Sequence, residues 1–341
     1  MTEPILTDVT TAPSAAHYEL YRWCDYAELR CLTHMDKRFS RDNLAEAIGE
    51  SKDLNSDGND ELPAPDDLVI DSPDEGETPE TTGEVDDLDE RLSGTTFRHL
   101  RWRANVFDVD WPFEIDTHAQ EIKLKQNLSN LHYLYLQLLL SALLKYCPKG
   151  RRKTYTGVFE DLSFYIFKNL MPQGSQVHQF GVSHSTRYVG KLFDRLRQLA
   201  DDVCGDLRLT VQDFPKNDAG DGGLDLVAWH NLGDERDHIP IAFAQCGCTA
   251  EGWPNKMLEA SPAKLGKKLV TGHDWATYYF MPIDLSDTRD GKMRWMEWRD
   301  VNAAIVIDRL RFLRLADADI LDQKNVLTKA AVNEALAFAL S

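Results

Sequence analysis

Two oxygen-bearing side chains stand at the ends of a pair of apolar runs. Asp225 opens Asp225-Leu-Val-Ala-Trp229, and Gln245 closes Ile239-Pro-Ile-Ala-Phe-Ala-Gln245. Between them lies the polar stretch 230–238, with its Gly233-Asp234 turn signal. Both runs have the length and composition of strands. If they pair as an antiparallel hairpin that sets residue 230 opposite 240, the numbers across the ladder add to 470, and Asp225 falls opposite Gln245. Directly opposed side chains stand about 5 Å apart at Cβ, close enough for both to reach one cation. Strand alternation then groups Asp225, Val227 and Trp229 with Gln245, Phe243 and Ile241. That face is polar at one end and apolar elsewhere, the pattern a metal site at the end of a sheet requires.

An acid on a helix, an acid opening one strand and an acid-x-Lys closing the next form the signature of the PD-(D/E)xK nucleases, and residues 150–285 resemble that superfamily. The order Gly-Leu-Asp225-Leu-Val-Ala-Trp, Gln245-Cys and Trp253-x-x-Lys256 is also similar to that of bacterial proteins from mobile-element and phage-defence gene neighbourhoods. The resemblance implies an α/β fold: a restriction-endonuclease-like mixed sheet flanked by helices, with a small helical unit before it. It casts Glu160 as the helix acid and Asp225 as the strand acid, and these two with Gln245 as ligands of Mg²⁺ or Mn²⁺. The implied activity is metal-dependent endonucleolytic hydrolysis of nucleic acid, DNA ahead of RNA. In such chemistry the cation lowers the pKa of water and stabilises the charged transition state, while a Lys ammonium orients the nucleophile. A homodimer and a defence-system partner protein docking on residues 1–50 are further expectations.

The chain departs from that signature at two positions. Residue 245 is Gln where the family has an acid, and residue 247 is Gly where it has Lys. A Gln carbonyl can ligate Mg²⁺ but brings no charge, so other oxygens must supply affinity, with Asp221 and Glu251 as further candidates. Lys256, at the start of the following helix, is the expected replacement for the missing Lys. If these substitutes fail, the core is a non-cutting relative that binds nucleic acid or protein. A third reading makes residues 1–50 an adaptor and the remainder its scaffold.

Other residues invite blander readings. Cys246-Gly-Cys248 with His230 and His238 suggests zinc, but alternation puts both cysteines on the face opposite Gln245, where buried free thiols act as small hydrophobes. Asp221-Gly-Gly lacks the Gly-Lys-Ser/Thr ending of a phosphate loop and reads as a turn feeding the strand. Ser183-His184-Ser185 has no nucleophile elbow. Lys149, Arg151, Arg152 and Lys153 form a basic surface suited to phosphate contacts. Glu160 also reads as a charge favoured in the first turn of a helix over residues 158–170.

The elements that must position these groups follow from periodicity. Residues 17–50 predict two helices, the second capped by Ser40 or Asp42. Residues 101–107 and 111–115 predict short strands or a packed loop, residues 127–146 a buried helix, and residues 188–200 an amphipathic one. Residues 276–283 predict a further strand, 303–313 either a strand or a helix, and 324–340 a terminal helix.

Charge is unevenly spread. The chain has 341 residues and a formal net charge of −18. Residues 50–90 carry 17 Asp or Glu against Lys52 alone, a net of −16 that leaves −2 for the other 300 residues. Acidity of the whole is therefore no argument against a nucleic-acid partner. Residues 51–92 have almost no apolar surface to offset ordering entropy and read as a disordered acidic linker. That divides the chain into a helical unit over 1–50, the linker, and an α/β domain over 93–341. Six dispersed cysteines, an N-terminus without a basic, apolar signal region and no apolar run of membrane length point to a cytoplasmic protein.

Overall fold

A computed structural model describes residues 5–14, 19–55, 82–181, 185–214, 222–289, 292–296, 301 and 303–338. The chain forms two compact units, Met1–Lys153 with Val326–Ser341, and Thr154–Asn325.

The first unit contains α1 (Leu20–Thr33), β1 (Arg38–Ser40), α2 (Arg41–Asn55), α3 (Thr82–Phe107), β2 (Phe113–Asp116), β3 (Glu121–Leu124) and α4 (Asn130–Ala142). Ser40 caps α2 as expected, its Oγ accepting the Asn43 N–H at 3.2 Å. The division expected from composition needs correcting. Residues 1–50 are not a separate body, because β1 pairs antiparallel with β3, Phe39 opposite Ile122. Buried ionic contacts add a second tie: the Arg103 guanidinium on α3 meets Asp25 at 2.8 Å and Glu28 at 3.0 Å, both on α1. Glu28 also accepts from Trp111 Nε1 at 3.1 Å and Tyr135 Oη at 2.9 Å. Carboxylates removed from water need such donors, so one buried Glu fixes the mutual placement of four segments.

The bounds of the acidic linker also change. α2 runs to Asn55 and α3 begins at Thr82, while residues 56–81 lie outside the described residues. Residues 101–107 are the end of α3, not a strand or loop. Leu92, Thr96, Leu100, Arg103 and Phe107 are buried at helical spacing, a stripe obscured in sequence by the acids before it and by its polar members.

The second unit is built on a mixed sheet. Its elements are α5 (Lys149–Leu170, which begins in the first unit), β4 (Gln176–Gln179), α6 (Leu192–Asp202), β5 (Asp206–Leu207), β6 (Leu226–Trp229) and β7 (Ile241–Cys246). Then follow α7 (Trp253–Met257), α8 (Pro262–Leu265), β8 (Leu269–Val270), β9 (Ala276–Phe280), β10 (Ser286–Arg289), β11 (Lys292–Trp295), β12 (Ile305–Ile307), α9 (Arg309–Leu315) and α10 (Ala318–Ala337, which from Val326 belongs to the first unit). Residues 303–313, ambiguous in sequence, hold both a strand and a helix.

The five-stranded sheet has the order β12-β9-β7-β6-β4. β4, β6 and β7 pair antiparallel, whereas β7, β9 and β12 run parallel. On one face Val227, Trp229, Ile241 and Phe243 pack with Leu192, Leu196 and Leu199 of α6. On the other, Phe167 of α5 lies 5.4 Å from Tyr278 and 6.1 Å from Phe280, ring centre to ring centre, and Phe312 of α9 lies 6.3 Å from Phe280. This is a mixed sheet flanked by helices. Burial on both faces explains why β7 reads as an unbroken apolar run. Among the described residues no helix is long and apolar enough to cross a membrane, and all six cysteines are free.

Beyond β9 and β12 two carboxylates are buried together. Asp308 caps α9, accepting the Arg311 N–H at 3.1 Å, and also accepts the Leu285 N–H at 3.4 Å, while Asp284 accepts from Ser286. Burial first, then the neighbouring Asp284 charge, pushes the Asp308 carboxyl up to about 7. The folded value lies above that of an unfolded Asp, so the stabilisation is complete at acid pH and is lost as pH rises through about 7. Asp308→Asn keeps the capping acceptor without the charge. The denaturation midpoint of the wild type relative to this variant should therefore fall progressively between about pH 4 and pH 7, by the equivalent of roughly 4 kcal/mol in all, and level off above that. A difference that does not change with pH would contradict this account of the pair.

Candidate metal and phosphodiester site

The site begins at a turn that only glycine accommodates. Gly222 and Gly223 have φ of +69° and +82°, and a Cβ at Gly223 would fall 2.7 Å from Glu259 Cβ. The chain then enters β6, paired with β7 as Leu226↔Ala244, Val227↔Phe243, Ala228↔Ala242 and Trp229↔Ile241. Every pair adds to 470, the register expected from the sequence, and one further step sets Asp225 beside Gln245. Asp225 is held from both sides. Its carbonyl accepts the Phe180 N–H at 2.7 Å, and its carboxylate Oδ2 accepts the Cys246 N–H at 2.7 Å. That bond occupies one carboxylate oxygen; Oδ1 points toward Gly181, lying 3.8 Å from where a Cβ there would be.

Gln245 is 7% exposed, and its Oε1 has no hydrogen-bond partner among the described residues. Its neighbour across the parallel ladder is Tyr279, whose hydroxyl is buried and likewise has no partner among the described residues. Burial, reinforced by surrounding groups that include Glu259 and Asp225, raises the phenol pKa and keeps the Tyr279 hydroxyl protonated.

Glu160 is half-buried near the middle of α5. It is not in a first turn, because the basic run from Lys149 is itself helical, so the attraction of a helix N-terminus does not account for it. Its charge bears on Cys246 and Cys248, as does that of Asp225. Burial chiefly, then these carboxylates, pushes both thiols up and holds them neutral, while Lys256 opposes the shift at Cys248. Glu160, Asp225 and Lys256 thus all surround the turn that follows Gln245. Lys256 lies in α7, half-exposed, with no ion pair among the described residues.

Zinc finds no support in this arrangement. Cys246 faces α5, beside Ser163, and His230 and His238 are engaged by Ser175 and Asp237. Asp221 lies outside the described residues, and Glu251 is exposed. The oxygen-bearing side chains around the turn after Gln245 are Asp225 and Glu160, whose charges bear on Cys246 and Cys248, and Gln245 with its unpartnered Oε1. Among the described residues no three His, Cys, Asp or Glu side chains converge on one point. The set fits a hard cation that keeps several waters and uses one or two carboxylates, as Mg²⁺ does, better than an all-protein cage.

Two residues escaped the sequence reading. Tyr279 accounts for Gly247, since a Cβ there would fall 2.0 Å from Tyr279 Oη, and the position where the nuclease family has Lys is filled by a phenol. Glu259, three residues after Lys256, lies against the turn that delivers Asp225. No local pattern distinguishes either one; their nearness comes from the crossover between β7 and β9. Comparison of the chain with known protein families, curated proteins and solved structures finds no match.

Because Tyr279 Oη occupies the space beside Gly247, Gly247→Ala should destabilise the protein by about 1–3 kcal/mol through overpacking. In a Tyr279→Phe background, which removes that oxygen, the cost should be clearly smaller. Chemical denaturation of the four proteins in the double-mutant cycle measures this, and equal costs in the two backgrounds would contradict the contact.

Proposed function

We propose that the second unit is a metal-dependent phosphodiesterase core of the restriction-endonuclease type, acting on nucleic acid, with DNA as its substrate. The observation that carries this reading is the β6–β7 register, which sets Asp225 beside Gln245 at the end of a mixed sheet. Supporting it are the charges of Glu160 and Lys256 around the same turn and the helices on both faces of the sheet.

Each group has a definite task. Asp225, with Oδ2 held by the Cys246 N–H, would hold Mg²⁺ or Mn²⁺ together with Gln245 Oε1, and Glu160 would add a carboxylate from the α5 side. When bound, the cation supplies Lewis-acid stabilisation of the phosphoryl oxygens and lowers the pKa of water. Lys256, unpaired and half-exposed, contributes a positive charge that attracts the scissile phosphate and orients the attacking water. The protonated Tyr279 hydroxyl fills the ground behind Gly247, so the ammonium must come from α7.

A second reading is favoured by the uncharged Gln245 and by the phenol in the place of the family Lys. In that reading the unit binds nucleic acid without cutting it. Cleavage of plasmid and linear DNA in Mg²⁺ or Mn²⁺ distinguishes the two.

Asp225→Asn keeps an oxygen for the Cys246 N–H and removes one charge. It should lower cleavage by about 100-fold or more while leaving the melting temperature nearly unchanged. Cleavage by the variant at the wild-type rate would remove the proposed site. Binding without cleavage by the wild type in either metal would establish the second reading.

A further inference from the structure

The acid missing from position 245 leaves the candidate cation short of negative charge, and one carboxylate near the site has no assigned task. Glu259 follows α7 in the turn leading to α8, half-buried. Its Oε2 lies 3.0 Å, and its Cβ 2.7 Å, from where a side chain at Gly223 would begin, two residues before Asp225. Its carboxylate forms no hydrogen bond or ion pair among the described residues. A half-buried carboxylate without a donor loses hydration that nothing in the protein replaces. Close by are two buried polar atoms without partners, Gln245 Oε1 and Tyr279 Oη, adjacent across the β7–β9 ladder. Buried polar groups in folded proteins are nearly always satisfied, so this grouping of unmet acceptors and a donor is what a hydrated cation with its coordinated waters would complete.

We propose that Glu259 supplies the carboxylate that residue 245 lacks, joining Asp225 and Gln245 in holding a hard divalent cation, Mg²⁺ or Mn²⁺. The inference rests on the metal-dependent reading of the site and adds a residue outside the nuclease signature. The β7–β9 crossover then contributes twice, with Lys256 facing the phosphate and Glu259, one helical turn further on, facing the metal. The carboxylate has migrated along with the ammonium, which explains why both signature positions are altered in one chain. Gly223 follows from the same arrangement, since any side chain there would displace Glu259 from the turn.

Titration of the full-length protein with Mn²⁺ alone, followed by calorimetry or by loss of the free-ion electron paramagnetic signal, tests this. Glu259→Gln should weaken Mn²⁺ binding by about 10-fold or more, in the range of strong effects on metal sites. Restoring the acid in the double variant Glu259→Gln/Gln245→Glu should recover most of the loss, which no purely structural role of Glu259 would produce. Asp225→Asn serves as the reference for the underlying site. If Asp225→Asn abolishes binding while Glu259→Gln binds within about 2-fold of wild type, a difference of roughly 0.4 kcal/mol, the assignment of Glu259 is wrong and the metal site stands. If the wild type binds no Mn²⁺, the metal-dependent reading fails and takes the assignment with it.

Discussion

The Cys246 N–H bond to Asp225 Oδ2, 2.7 Å long, closes the antiparallel ladder between β6 and β7, and the candidate site depends on it. Side chains alternate along a strand with a period of two, so slippage by one residue would send Asp225 to the α5 face and bury Val227 and Trp229 against the wrong neighbours. The apolar half of the face prevents this. Val227, Trp229, Ile241 and Phe243 pack under α6, and Trp275 lies 4.9 Å from Phe243. Burial of these side chains fixes the register, and the register puts the one carboxylate of β6's opening beside the one amide at β7's close.

The chemistry of the site follows from what burial does to each neighbour. Cys246 and Cys248 stay neutral thiols, Tyr279 stays a neutral phenol, and Gln245 carries no charge. The acidic and basic side chains nearby are Glu160, Asp225, Glu259 and Lys256. In the proposed reading a cation bound near these carboxylates would be favoured by their charge. The first unit solves a similar problem differently, using Arg103, Trp111 and Tyr135 to satisfy Asp25 and Glu28 within the protein. One set of buried acids is complete in itself and structural. Around the turn after Gln245 the polar atoms left unmet among the described residues are Gln245 Oε1 and Tyr279 Oη.

Much of the second unit was legible in the sequence. The hairpin register could be read from two apolar runs and a turn, because alternation and burial leave few alternatives. The helices carrying Glu160 and Lys256 could be found from Leu162, Ile166 and the Trp-Pro opening of α7, although α5 begins earlier than its apolar stripe suggests. Less legible was anything depending on contacts between distant segments. β1 gives no strand signal in three residues; its partner β3 defines it. α3 is hidden because its buried stripe includes Ser93, Thr96 and Arg103, which match no apolar period. Gly247 looks like a plain departure from a family pattern until Tyr279 Oη appears where its Cβ would be.

Paramagnetic line broadening by Mn²⁺ tests the register-built site most directly, since it reports where the ion sits without requiring turnover. With substoichiometric Mn²⁺ added to isotope-labelled protein, the Cys246 amide and the Gln245 side-chain amide should broaden first. The Trp229 indole, about 13 Å further along the strand by the usual rise per residue, should broaden later. Broadening confined to exposed acidic residues elsewhere, with Gln245 and Cys246 unaffected at concentrations that saturate the protein, would contradict the account.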